Sequence, residues 1–368
     1  MSYKLLGEGV MILEESFDAF RDVEAIVFDC DGTIIDSTSS YRLADKITAC
    51  IILEKLCGIE CRFGKDFDDA IMRLEILGGF NNDWNKTSAI IQAIFLHLRE
   101  PPREMREIGR IEDVEEFLER CLAEESSPED VRAGIEWIRM RASERYGRYV
   151  ALKDLEEVLD EEAERRGRLQ RLNELREIID PSAGYGSGLL PTLYDEIYLG
   201  EEGVRQRHGS TPRYVSWAGL LDREKVVITR ETLETLLRIV PRGLALATGR
   251  GRWETEKVLG DLIEYFDLSS SIFSAEDPSS YEKPSPRILL ECSKRLKAWS
   301  IAYVGDSFED LLLVEKAVEE GLDAFFIGVL TNPYSMEIFM QNKADAIIED
   351  VNSLPRVLKR EEKLWSPF

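Results

Sequence analysis

The stretch that decides the fold reads VFDCDGTIID, Val27 to Asp36. The run Ala25-Ile26-Val27-Phe28 is fit for burial, yet it stops at two carboxylates one residue apart, Asp29 and Asp31. Carboxylates are costly to bury unless they meet a cation or hydrogen-bond donors. A pair held at a strand end therefore asks for a partner, and a metal ion is the obvious one.

Strand-like runs of the same kind recur at both ends of the chain and not in its middle. Besides AIVFD (25 to 29) they are LALATG (244 to 249), SIFSAE (271 to 276), IAYVGD (301 to 306), AFFIGVL (324 to 330) and AIIED (346 to 350). Amphipathic helical patterns separate most of them, among them ETLETLLRIV, WETEKVLGDLIEYF, SPRILLECSKRLKA and SFEDLLLVEKAVEEG. Near-continuous apolar strands alternating with helices predict an α/β fold with a parallel sheet covered on both faces. In such a sheet a ligand lies beyond the carboxyl ends of the strands.

Between Thr38 and Lys225 the pattern is helical, with almost no strand signal. Helices are predicted near 41 to 56, 66 to 77, 87 to 99, 112 to 125, 128 to 146, 151 to 179 and 189 to 199. Ser127-Pro128-Glu129-Asp130 reads as an N-cap, a proline at the first helical position and acids in the first turn. The charge run of 151 to 179 reads as one solvated helix face. The architecture this predicts is a catalytic core of residues 1 to 37 and 225 to 368, with an all-α domain, 38 to 224, inserted after the first strand.

A chain of 368 residues that is 44% hydrophobic and 32% charged has room for two domains. Its net charge of -24 argues against nucleic acid and anionic membranes as partners. A small anionic substrate then needs a local cation. The start of the chain lacks a basic region before an apolar core, and no run approaches the ~20 apolar residues of a membrane helix, so a cytoplasmic protein is expected. Six irregularly spaced cysteines read as small buried hydrophobes. Only His97 and His208 are available to complete a zinc site with Cys57 and Cys61.

Four stretches end or follow strands in order: DCDGT (Asp29 to Thr33), ATGR (Ala247 to Arg250), YEKPSP (Tyr281 to Pro286) and GDSFED (Gly305 to Asp310). Each alone is weak, but their order and strand-end placement are specific. Together they resemble the four motifs of the haloacid dehalogenase superfamily, in its phosphatase branch. The resemblance covers about residues 20 to 37 and 225 to 358, and implies a Rossmann-like core. The inserted helical region resembles the cap that one subclass carries, though it is longer than usual.

The resemblance implies a Mg²⁺-dependent phosphatase that hydrolyses a small phosphate monoester through an aspartyl phosphate. Asp29 would attack phosphorus, and Asp31 would protonate the leaving oxygen and then deprotonate water. Mg²⁺ would be held by Asp29, the Asp31 carbonyl and Asp306, with Asp310 ordering its shell. Thr248, Gly249 and Lys283 would hold the phosphate oxygens. Gly32 and Thr33 would make the turn between the two acids. Dehalogenases lack an acid at the position of Asp31, which favours phosphoryl chemistry.

Arg250 is a candidate for contact with substrate, an arginine that opens a helix being more often at the surface. The helical region's LGGFNNDWNKT offers Phe80, Asn81, Asn82, Asp83 and Trp84 as candidates for substrate specificity. It resembles a turn in a little-characterised group of these phosphatases, the phosphoglycolate-phosphatase-like or histidinol-phosphate-phosphatase-like ones. An interhelix turn with a buried Trp and Phe is the alternative. PSAGYGSGLLP (181 to 191) reads as a flexible connector. The expected partner is a small phosphorylated metabolite. A phosphosugar mutase of the same fold, or a binding or regulatory protein that kept the fold, are the rival readings.

Overall fold

In the computed structural model, which describes residues 2–7, 9–80, 82–102, 104–123, 125–145 and 148–358, the strands follow one another in two groups. The first holds β1 (Tyr3–Leu5), β2 (Val10–Leu13), β3 (Ala25–Phe28) and β4 (Ile35–Asp36). After β5 (Gly78–Gly79) and β6 (Val150–Ala151) come β7 (Lys225–Val226), β8 (Leu244–Thr248), β9 (Ile272–Phe273), β10 (Ser300–Gly305), β11 (Asp323–Val329) and β12 (Ala346–Ile348). The chain divides into two units, Met1–Ser37 with Lys225–Phe368, and Thr38–Glu224.

The first unit is built on an eight-stranded sheet in the order β1-β2-β12-β11-β10-β3-β8-β9. From β12 to β9 every pairing is parallel. Strands β3, β8 and β10 are buried along their whole length, as their apolar runs require, and helices such as Arg230–Ile239, Arg287–Leu296 and Phe308–Glu319 supply the covering layers. The expected parallel sheet is thus present, and beyond it β1 and β2, which the sequence did not show, pair antiparallel with each other and β2 with β12. Strands of three and four residues are too short for a periodicity to show.

The order of the six parallel strands places the active crevice. From β3 the chain steps to β8 and β9 on one side, and from β10 to β11 and β12 on the other. Neighbouring strands β3 and β10 are where the direction reverses, and their carboxyl ends open a cleft between diverging loops. Asp29 follows β3 directly, and Asp306 follows β10.

In the second unit the helices are Thr38–Ile51, Lys65–Glu75, Asp83–His97, Val114–Leu122, Glu129–Ser143, Leu152–Arg165, Leu169–Ile179 and Leu189–His208. Its two strands form one short parallel pair, β5 with β6. Three expectations change here. The stretch 151 to 179 is two helices, broken at Gly167 (φ 65). The helix predicted at 189 to 199 holds, but a further helical segment that was not predicted follows it to His208 across a kink at Gly200. That residue is non-helical (φ 68, ψ -177), and an added Cβ there would lie 2.2 Å from the Ala218 carbonyl oxygen. Pro128, already extended at ψ 154, takes the N-cap position itself, so Ser127 does not cap.

The 181 to 191 segment is no loose connector. The Gly186 N–H donates to Thr192 Oγ1 at 2.8 Å, and the Tyr185 ring stacks on His208 with centroids 3.8 Å apart. Nearby, the buried Glu196 carboxylate accepts from the backbone N–H groups of Arg213, Tyr214 and Val215. All six cysteines are buried free thiols. No helix among the described residues is long and apolar enough to cross a membrane.

Candidate active site

The turn after β3 is made by one carbonyl. Cys30 O accepts from the N–H groups of Thr33 (3.2 Å), Ile34 (2.9 Å) and Ile35 (2.9 Å), which folds the chain back over the strand end. The Asp29 N–H stays on the sheet, bonded to Val304 O of β10 at 2.9 Å. Thr33 holds the turn by its backbone, while its buried hydroxyl has no hydrogen-bond partner among the described residues. Gly32 must be glycine for two reasons: its φ is 67, and a Cβ there would fall 1.9 Å from Asp306 Oδ2. We therefore expect Gly32→Ala to lose about 1–3 kcal/mol of stability from backbone strain alone, checked by denaturant unfolding, and to lose activity by displacing Asp306.

Across the crevice, Ser307 N-caps the helix Phe308–Glu319, with Asp310 as the reciprocal member of the capping box. Asp310 Oδ2 accepts from Ser307 Oγ at 2.7 Å, and its Oδ1 lies 2.8 Å from Lys283 Nζ and 2.9 Å from the Tyr303 hydroxyl. Lys283 Nζ also lies 2.9 Å from Asp29 Oδ1. One buried ammonium thus ties the strand-end acid to the helix-start acid.

The electrostatics follow from burial and this pairing. Burial alone would lower the Lys283 ammonium, but Asp29 and Asp310 outweigh it and hold the lysine well above its ordinary value. Burial raises the Asp29 carboxyl, against the pull of Lys283. In Asp310 burial is outweighed by Lys283, Ser307 and Tyr303, and the carboxyl is held low. Lys283 therefore stays charged.

Thr248 closes β8 fully buried, its Oγ1 accepting from the Arg250 N–H at 3.2 Å, and Gly249 beside it is exposed. Arg250 is not at the surface. Its side chain is 1% exposed, with Nη1 3.3 Å from Asp31 Oδ1. Two participants were not singled out from the sequence. Tyr303 was visible only as a strand residue, and Thr331, outside all four motifs, donates to Asp306 Oδ2 at 2.6 Å. The one available signal was a hydroxyl in an otherwise apolar central strand, since a buried tyrosine usually has a partner for its O–H.

The second unit's candidates divide. Phe80 is fully buried, Asn82 caps the helix Asp83–His97 by accepting from the Trp84 N–H, and Asp83 pairs with Lys86 at 2.7 Å. Trp84 is half-buried, and Asn81 lies outside the described residues.

Asp29, Asp306 and Asp310 offer carboxylate oxygens that all lie within 4.8 Å of one another. A set of hard oxygen donors at that separation fits a divalent cation such as Mg²⁺. Because both oxygens of Asp310 already accept hydrogen bonds, Asp29 and Asp306 are the better direct ligands, with Asp310 behind them.

The switch point of this doubly wound α/β unit thus gathers a strand-end carboxylate, a second acid, a buried lysine and three carboxylates within 4.8 Å of one another. The family model for haloacid dehalogenase-like hydrolases matches residues 23–317, well over half of the chain, and the chain belongs to that family. An X-ray structure from structural genomics is 18% identical with a TM-score of 0.54, covering 91% of this chain and 98% of its own, which speaks to the fold. A phosphatase from Thermococcus thioreducens is 21% identical with a TM-score of 0.46, covering 87% and 98%. A predicted phosphoglycolate phosphatase from Haemophilus somnus is 14% identical with a TM-score of 0.41, covering 92% and 99%. No curated protein matches the chain.

Proposed function

We propose that the protein is a phosphatase that hydrolyses a small phosphate monoester through an aspartyl phosphate on Asp29. The observation that carries the reading is the Lys283 ammonium bonded to both Asp29 and Asp310 at the sheet's switch point. It supplies the local cation that a chain of net charge -24 needs in order to receive an anion.

Asp29 attacks phosphorus with a carboxylate oxygen, and the bond to the leaving oxygen breaks as Asp31 hands that oxygen its proton. Asp31, now a carboxylate, takes a proton from water as the water oxygen attacks the acyl phosphate, which frees Asp29 and releases phosphate. Splitting the reaction makes two easier steps of one of the slowest uncatalysed hydrolyses. Lys283, the Thr248 hydroxyl and the Gly249 N–H hold phosphate oxygens where charge spreads in the transition state. Arg250 keeps the Asp31 carboxyl oriented. Asp29, the Asp31 carbonyl and Asp306 would hold Mg²⁺, which would supply neutralising charge between the carboxylates and the phosphate.

Substrate choice is assigned to the unit Thr38–Glu224, inserted in sequence between the first two motifs. The test is a panel of phosphate monoesters assayed with Mg²⁺ and with EDTA. Turnover with Mg²⁺ that chelation abolishes supports the reading. No turnover across the panel, or dependence on a bisphosphate activator, overturns it in favour of a binding protein or a mutase.

A further inference from the structure

In the helical unit, the helices Thr38–Ile51 and Leu189–His208 meet through tyrosines: the rings of Tyr41 and Tyr198 lie 4.7 Å apart, and Tyr194 lies 6.4 Å from Tyr198. One turn along from Tyr41 is Asp45, and one turn back from Tyr198 is Tyr194. Both are buried, Asp45 at 0% and Tyr194 at 2% exposure. Asp45 Oδ1 accepts from the Thr87 hydroxyl at 2.6 Å, but Asp45 Oδ2 and the Tyr194 hydroxyl have no hydrogen-bond partner among the described residues. The carboxylates whose charge bears most on the Tyr194 phenol are Asp83 and Asp45, as expected if both face it.

The neighbouring cations serve other acids. Lys86 Nζ pairs with Asp83 at 2.7 Å and with Glu75 at 3.3 Å, and Arg42 approaches Glu75 at 3.7 Å. Three acids, Asp45, Glu75 and Asp83, thus share two bases, Lys86 and Arg42, and among the described residues Asp45 has no ion pair. The Lys86 charge acts on it from beside Asp83 and Glu75, and burial together with the Asp83 charge pushes its carboxyl well up. A water molecule would satisfy the two orphan oxygens but supply no charge against which Asp45 could ionise. An ammonium group supplies N–H donors and the missing charge together, and tyrosine rings suit a cation. On one side the side chains of Arg42, Glu75 and Asp83 are partly exposed, at 22%, 28% and 18%, while Asp45 and Tyr194 are buried.

We infer that the helical unit holds a binding site for a primary ammonium group, with Asp45 Oδ2 and the Tyr194 hydroxyl as its floor. The ammonium group belongs either to the substrate of the proposed phosphatase or to a separate small amine, and binding by itself does not depend on the phosphatase reading.

Thermal unfolding of the full chain tests it, with ethanolamine against tetramethylammonium and ethylene glycol at matched ionic strength. Ethanolamine alone is expected to raise the transition by about 2 °C or more near saturation. The rise should vanish in Asp45→Asn, which keeps the shape but not the charge, and shrink in Tyr194→Phe. If ethanolamine behaves as tetramethylammonium does, or its effect persists in both variants, the inference is overturned and the orphan oxygens belong to a buried water or a protonated Asp45. Hydrolysis of phosphoethanolamine at about tenfold higher kcat/KM than 2-hydroxyethyl phosphate, with the preference lost in Asp45→Asn, assigns the amine to the substrate. Stabilisation without that preference assigns it to a separate ligand.

Discussion

Lys283→Met is expected to cost the protein its turnover and much of its stability together. The wild-type ammonium lies 2.9 Å from Asp29 and 2.8 Å from Asp310, on a side chain only 3% exposed. Methionine keeps most of the aliphatic stem, so lost packing is a minor contribution. What remains is two buried carboxylates facing each other without a cation, and removing one partner of such a pair costs about 3–5 kcal/mol. Denaturant unfolding of the two proteins reads this directly. Without the lysine both carboxyls titrate higher in the folded state, so they gain protons as pH falls and the deficit shrinks toward acid. Adding Asp310→Asn should recover part of the stability by deleting one uncompensated charge. It should not recover turnover, expected to fall by about 10³ or more, because the cation that meets the phosphate is gone. If Lys283→Met is as stable as the parent across neutral pH, the pairing is not what holds the site.

Asp29→Asn is expected to separate chemistry from fold. The amide keeps an oxygen for Lys283, and Lys283 keeps Asp310, so the site holds together. A buried carboxyl that burial already pushes upward is also replaced by a neutral group. Turnover of an aryl phosphate is expected to fall by at least about 10⁴, since the amide cannot form the acyl phosphate and the uncatalysed reaction is extremely slow. A melting curve close to the parent's beside that loss identifies Asp29 as the nucleophile. A variant that keeps a tenth of the parent's activity would mean that another group attacks.

The parts of the site legible in the sequence were those whose chemistry conflicts with their position. Carboxylates ending apolar strands, as at Asp29 and Asp306, are local contradictions, visible without any knowledge of distant contacts. That the strand-end residues face one crevice was legible from the alternating strands and helices, while the strand order that sets β3 beside β10 was not read from the sequence. Tyr303 and Thr331 were not, because a tyrosine in a strand or a threonine after one conflicts with nothing nearby. Their roles exist only through partners supplied by other elements, the Asp310 carboxylate and Asp306 Oδ2. Arg250 looked like a surface residue at a helix start, since its partner Asp31 lies beyond the end of the neighbouring strand and is distant in sequence. The antiparallel hairpin of β1 and β2 was too short to carry a period. The break at Gly167 hid inside a charge pattern that continued across it. Asp45 was not singled out from the sequence, and only its burial and its bond with Thr87 make it unusual.

The measurement that tests the central claim most directly is the mass of the acid-quenched protein during turnover of p-nitrophenyl phosphate with Mg²⁺, followed by peptide mapping. The account predicts one phosphoryl group, on the peptide that contains Asp29, absent in Asp29→Asn and without Mg²⁺. Turnover with no adduct at any quench time, or an adduct on a different residue, would contradict it.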